Sequence, residues 1–160
     1  MREIAFHPIG VIHSPFKDTK DMPIQPSGAK GIAGTIVLND DYVEGLKDLD
    51  GFSHIILIYH FHLSTGYSLM VHPFLDDKLH GVFATRAPKR PNHIGISVVK
   101  LEKIDGNILY VENIDIIDGT PLLDIKPYVG SFDNVKDERK GWLSDEIKNP
   151  GEIRSDDRFK

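Results

Sequence analysis

The stretch SHIILIYHFH, residues 53–62, decides the fold class. It is rich in β-branched and aromatic residues and almost unbroken in hydrophobicity, the composition of a strand buried on both sides. Two-residue alternation places His54, His60 and His62 on one face together with Ile56 and Ile58. Downstream, residues 68–74 and 81–85 read as short strands around a polar turn at Asp76-Asp77. Residues 94–104 and 108–116 flank Asp105-Gly106, a hairpin signal. Asp118-Gly119-Thr120-Pro121 punctuates the chain once more before a strand-like run over 122–128. Upstream, residues 4–13 and 31–38 read as strands, and Asn39 with Asp40 and Asp41 marks the start of a short helix. Between those two strands, residues 16–30 form a loop with Pro23, Pro26 and Gly28, of a length that in compact domains usually accompanies function. Seven or so short strands with few helices predict an all-β protein, a small closed barrel or a strongly coiled sheet with short helices.

Composition bounds the rest. A chain of 160 residues with 40% hydrophobic and 27% charged residues is an ordinary globular chain of one main domain. Residues 1–130 are expected to form the barrel domain. Residues 131–160, highly charged and weakly periodic, are expected to form a polar C-terminal arm packed on the barrel or a partner subunit, with Trp142, Leu143 and Ile147 as anchors and a short helix over 143–148. There is no cysteine, no apolar run of the roughly 20 residues that cross a bilayer, and no hydrophobic leader, because Pro8 and Gly10 interrupt the N-terminus. A cytoplasmic protein with no membrane association fits these features. The net charge of −5 speaks against a generic nucleic-acid binder. Its distribution speaks for a local basic face: Lys78, Arg86, Lys89, Arg90, Lys100 and Lys103 stand against the single acid Glu102.

That basic segment carries the candidate site. In residues 82–101, VFATRAPKRPNHIGISVVKL, Pro88 and Pro91 exclude a helix or a central strand, so Arg86, Lys89 and Arg90 ride on a stiff loop between apolar segments. Guanidinium groups held this way lose little freedom when an anion or planar polar group arrives. Two other loops offer Pro, Gly and backbone carbonyls, Gln25-Pro26-Ser27-Gly28 and residues 118–122. No dinucleotide fingerprint, Walker loop or nucleophile elbow is present. The His60-x-His62 pair has metal-ligand spacing, yet no third ligand follows within HFHLSTGYSLM, and His72 is the nearest. Hydrogen-bonded or pocket-lining histidines are the expectation. No metal is expected, and a metal-dependent cupin-type barrel enzyme stands as an alternative.

The basic loop resembles the F-A-T-R-S-P-x-R-P-N-P-I-G-x-S signature of the TsaA-like family, also called TrmO. PIGVIHSPF, QPSG, GFSHIILIYHFH and IDGTPLLDIKPY follow the same family order from residue 8 to 128. The resemblance implies a six-stranded β-barrel methyltransferase that uses S-adenosylmethionine outside the Rossmann class. It implies a homodimer with cofactor near the subunit interface, and N6-methylation of threonylcarbamoyl-adenosine at position 37 of a threonine tRNA. By matching position, the resemblance implies cofactor binding by Pro26, Ser27, Gly28, His62, Leu63, Arg86, Ile96, Gly119, Thr120, Pro121 and Leu122. Arg86 suits the cofactor carboxylate through a two-point contact, and Asp118 suits the sulfonium or the ammonium group. Lys89, Arg90, Asn92, Lys126 and Tyr128 are the expected substrate-binding residues, with Lys89 and Arg90 the more exposed cations; Asp124 also matches a family letter. No catalytic base is implied. A non-catalytic cofactor- or nucleotide-binding module is the alternative of a different class. Ser27, Leu63, His93 and His13 depart from the usual family letters, and His93 in place of a proline is expected to loosen the loop. Longer family members carry a C-terminal tRNA-binding domain.

Overall fold

The computed structural model describes residues 1–20, 22–24, 26–74 and 76–143. Six antiparallel strands close on themselves: β1 (Gly10–His13), β2 (Ala33–Leu38), β3 (His54–His60), β6 (Ile94–Asp105), β7 (Ile108–Glu112) and β8 (Thr120–Pro127). Their order around the barrel is β1-β2-β7-β6-β3-β8, with β8 returning to β1. Closure leaves none of the six with an unpaired edge, the usual liability of a sheet. Two short strands, β4 (Met70–Val71) and β5 (His80–Gly81), pair separately as a small ribbon. Among the described residues no helix is long and apolar enough to cross a membrane.

Alternation sorts each strand into an inner and an outer face. In β3, Ile55, Leu57 and Tyr59 are buried while His54, Ile56 and Ile58 are only partly covered and His60 is exposed. The strand is therefore buried on one face, not two. It also ends at His60: the His62 N–H turns back onto the His60 carbonyl at 2.8 Å, so His62 leaves the face shared by His54 and His60. Ile12, Ile36, Leu57, Leu109 and Leu122 fill the interior with no exposure. A smaller cluster of Val71, Val82 and Ala87 lies between the ribbon and the basic loop.

Other expectations shift for local reasons. Only Gly10–His13 of the expected first strand pairs, although Ile9 donates to the Leu122 carbonyl at 2.8 Å. The run over 68–74 shrinks to two residues, and that over 81–85 becomes a 3₁₀ turn at Val82–Ala84 after β5. Residues Asp40–Leu46 form a 3₁₀ helix; Asn39 does not cap it but donates from its side chain to the Pro8 carbonyl at 3.3 Å. The β6–β7 hairpin forms as expected: Asp105 pairs with Ile108, and Gly106 takes the positive φ of 60° the turn requires.

Tyr59 and Gly95 face each other across β3 and β6, both pointing inward. A Cβ at position 95 would overlap the Tyr59 ring and approach Phe61 at 2.8 Å. Gly95→Ala should therefore lower stability by about 1–3 kcal/mol, the cost of overpacking a filled interior. Gly45→Ala, where an added Cβ meets nothing within 4 Å, should change it by less than about 0.5 kcal/mol. Urea unfolding midpoints of the two variants provide the comparison, and equal losses would contradict this account of the Tyr59 pocket.

Candidate cofactor and substrate cleft

A cleft of about 1190 Å³ opens at the end of the barrel where β3 finishes and β6 begins. Its walls come from the first long loop (Thr19 and residues 22–24), the β3 terminus, the basic loop, residues 94–96, residues 115–117 with Thr120, and residues Lys140, Trp142 and Leu143. The basic loop is held rigid from within. The Arg90 guanidinium donates to the Thr85 and Ala87 carbonyls at 3.0 and 3.2 Å, and the Thr85 hydroxyl donates to the Val82 carbonyl at 2.8 Å. His93 does not loosen the loop: its Nε2–H donates to the Gly66 carbonyl at 2.7 Å, and its ring stacks beside His60. Trp142 brings the chain beyond the barrel back onto this loop. Its indole N–H donates to the Ala84 carbonyl at 2.8 Å, and its ring stacks on His80 at 4.4 Å. His80 is in turn bonded to the Asp76 carboxylate at 2.6 Å. Ile147 and most of the helix expected over 143–148 lie outside the described residues.

At the floor of the cleft three polar groups form a chain that the sequence did not single out. The Ser97 hydroxyl donates to Asp115 Oδ1 at 2.7 Å, and the Tyr59 phenol lies 2.9 Å from the Ser97 oxygen. A serine hydroxyl has one proton, so with Ser97 donating to the carboxylate, Tyr59 must donate to Ser97. Burial pushes the Asp115 carboxyl up to about 7, opposed by the Ser97 hydrogen bond, its own backbone N–H and the nearby Arg86 guanidinium. Burial, followed by the Asp115 charge, pushes the Tyr59 phenol well above its ordinary value. Burial, then His60, lowers His62 and favours its neutral form.

Of the residues expected at a site, the fold gathers His62, Leu63, Arg86, Arg90, Asn92, Ile96 and Thr120 around this one cleft. Arg86 is exposed, whereas Lys89 and Arg90 are partly buried, the reverse of the expected order, because Arg90 is turned onto loop carbonyls. Pro26, Ser27 and Gly28 belong to a 3₁₀ turn, Pro26–Ala29, directly after the loop residues that line the cleft. Gly119 makes the turn into β8 with φ +83°, Pro121 pairs with Val11, and Leu122 is wholly inside the barrel. Asp118 faces a neighbouring groove, where Lys17 at 2.7 Å, the Ser14 N–H and the His13 ring hold it. The Lys17 hydrogen bond leads in pulling its carboxyl down to about 2. Lys126 pairs with Asp124 at 2.8 Å, and the Tyr128 ring meets His54 edge-on at 6.2 Å. Both sit beside the start of β3, away from the cleft at its end. Among the described residues no three His, Asp or Glu side chains gather to hold a metal ion, which leaves the cupin-type alternative without a ligand set there.

Ser97 could have been found from sequence, as the polar residue on the inner side of β6 between Gly95 and Val99. Asp115, between two buried isoleucines in a loop, carried no such signal. Its burial makes a stability prediction. A folded-state pKa of about 7 against an ordinary 3.8 means that the folded chain binds more protons between those values. Stability should therefore fall as pH rises from about 4 to about 7 and flatten above, by on the order of a few kcal/mol from this group. Asp115→Asn should remove that slope, so its advantage over the parent appears at pH 8 and is absent at pH 4. Unfolding midpoints across pH test this; parallel profiles for parent and variant would contradict it.

Comparison with known proteins agrees with this architecture. The family model for the tRNA-methyltransferase O N-terminal domain matches residues 11–134. A probable S-adenosyl-L-methionine-binding protein of Pyrococcus abyssi is 56% identical over 156 residues, 98% of this chain and 85% of that protein. The tRNA (adenine(37)-N6)-methyltransferase of Mus musculus is 39% identical over 79% of this chain, which spans only 31% of the mouse protein. The crystal structure of TrmO from Pseudomonas aeruginosa superposes with a TM-score of 0.74 at 41% identity, covering 88% of this chain and 63% of that one. A matching family model over most of its length, and relatives this similar across nearly all of it, establish that the chain belongs to the tRNA-methyltransferase O family.

Proposed function

We propose that this chain methylates N6 of adenosine 37 in tRNA, with threonylcarbamoyl-adenosine of a threonine tRNA as acceptor, and that it works as a homodimer in the cytoplasm. Members of its family are S-adenosyl-L-methionine-dependent methyltransferases, and the mouse relative is named for the adenine-37 reaction. The observation that carries the reading is one apolar cleft that holds both a guanidinium, Arg86, and a carboxylate, Asp115.

The residues present fit that cofactor. When bound, it supplies an activated methyl group on a positively charged sulfur. Arg86 can take its carboxylate in a two-point contact, and Phe61 and Phe83 supply aromatic surface for a base. The Asp115 carboxylate offsets positive charge at the floor, where a low dielectric makes such an offset strong. Asn92 and the carbonyls of the proline-stiffened loop line the approach for a planar acceptor. The cleft rim is apolar and open: Leu63 is 54% exposed, Phe83 74%, Ile94 42% and Ile96 48%. A second copy of the chain would cover this surface, which fits a dimer with the cofactor near its interface.

A second reading, a cofactor-binding module without transfer, is favoured by the name of the Pyrococcus relative, which mentions binding alone. Incubating native tRNA that lacks the modification with labelled cofactor, followed by nucleoside analysis, separates the two. Label in N6-methylated threonylcarbamoyl-adenosine is expected; saturable cofactor binding with no label in tRNA would establish the second reading. Arg86→Ala should weaken cofactor binding by about 1.5–3 kcal/mol, the scale of a charged hydrogen bond. Calorimetry showing unchanged affinity would remove Arg86 from the cofactor site.

A further inference from the structure

The Asp115 carboxylate lines the cleft and is held there by the Ser97 hydroxyl. Methylating a neutral nitrogen without releasing its proton would leave a positive charge on the acceptor. In an apolar cleft that charge has little solvent to stabilise it. A carboxylate at the floor removes the difficulty, because the sulfonium loses its charge as the carboxylate loses its own. The group is already oriented for this. Ser97 fixes one oxygen, Tyr59 fixes Ser97, and Tyr59 is itself locked by the close approach of Gly95. Among the described residues, the titratable side chains lining the cleft besides Asp115 and Tyr59 are Arg86, His62, Arg90 and Lys140. Three of these are cationic and unsuited to accept a proton. His62 lies two residues beyond the end of β3, whereas the Asp115 carboxylate is held in place by Ser97.

We propose that Asp115 is the proton acceptor of the methyl transfer, held in place by the Ser97–Tyr59 hydrogen-bond chain. The N6 lone pair forms the new bond to the methyl carbon as the sulfur–carbon bond breaks with its electron pair on sulfur. The N6 proton passes to the Asp115 carboxylate and is returned to solvent as the cleft empties. The inference rests on the transfer reaction proposed above. The position of the Asp115 carboxyl near neutrality suits the role, since a base is most effective when its pKa lies near the working pH.

The test combines single-turnover transfer to unmodified tRNA with two measurements that need no activity. Asp115→Asn should slow transfer at saturating cofactor by about a hundredfold or more, the usual scale for a lost base, well in excess of any drop in cofactor affinity seen by calorimetry. In the parent, the rate should rise with pH to a plateau above about pH 7. Ser97→Ala removes a hydrogen bond that favours the ionised carboxylate, so the rising limb should move to higher pH while the plateau survives. Carboxyl carbon resonances of the cofactor-free protein should include one titrating near neutrality, displaced upward in S97A and lost in D115N. Transfer by D115N within about threefold of the parent would overturn the inference while leaving the reaction intact, as would an unmoved limb in S97A or its loss in His62→Gln. A loss in D115N that follows cofactor affinity alone would make Asp115 an anchor and overturn it equally. A parent protein that labels no tRNA would sink the reaction, and this role with it.

Discussion

The pairing of Tyr59 with Gly95 across β3 and β6 sets everything that matters at the cleft. Side chains on a strand alternate with period two, so a slip of one residue would turn Tyr59 and Ser97 outward and empty the inner face. Barrel closure resists such a slip from both sides, because β3 is paired with β6 on one edge and β8 on the other. The large ring on β3 is accommodated only because its partner has no Cβ. With the ring seated, its hydroxyl reaches Ser97, and Ser97 reaches Asp115 from the segment after β7. A packing constraint inside the barrel thus becomes an orientation constraint on a carboxylate at its mouth.

Two acids in one short segment illustrate how environment divides their roles. Asp115 and Asp118 are three residues apart, yet burial pushes one to about 7 and ion pairing pulls the other to about 2. Asp118 ties β1 to the turn before β8 through Lys17, Ser14 and His13, and stays ionised throughout any working range. Asp115 is held partly against its preferred charge state, at a cost in stability, a pattern common among groups at functional sites. The family likeness drew attention to Asp118, which matches a motif letter; the three-dimensional surroundings draw it to Asp115.

The elements legible in the sequence were those in which several signals agreed. Residues 53–62 and the hairpin around Gly106 combined strand composition, alternation and turn chemistry; the hairpin formed, and the strand formed over His54–His60. The basic loop was legible as stiff because proline acts locally. The polarity of its arginines was not, since which guanidinium turns inward depends on carbonyls several residues away. His62 was misplaced because alternation holds only while the strand lasts, and a tight turn at His60 ends it. The ribbon strands shrank because they belong to no large sheet, so composition had no ladder to extend. The separation of Lys126 and Tyr128 from the cleft follows from β8 running antiparallel to β3, a matter of topology rather than of residue type.

The cleft also depends on chain that lies past the matched family domain, which ends at residue 134. Lys140, Trp142 and Leu143 form one of its walls, and the indole is fixed at both its N–H, by Ala84, and its face, by His80. Ala84 is two residues before Arg86, so the stacked indole restrains the same loop that Arg90 braces from within. A loop braced on both sides presents its exposed guanidinium in few orientations, and less freedom is lost when a ligand binds. The barrel therefore supplies the floor and its carboxylate, while chain beyond the family domain helps supply the rigidity of the rim. Relatives that share the barrel but differ past this point should share the chemistry of the floor and differ in how firmly the cleft grips what enters it.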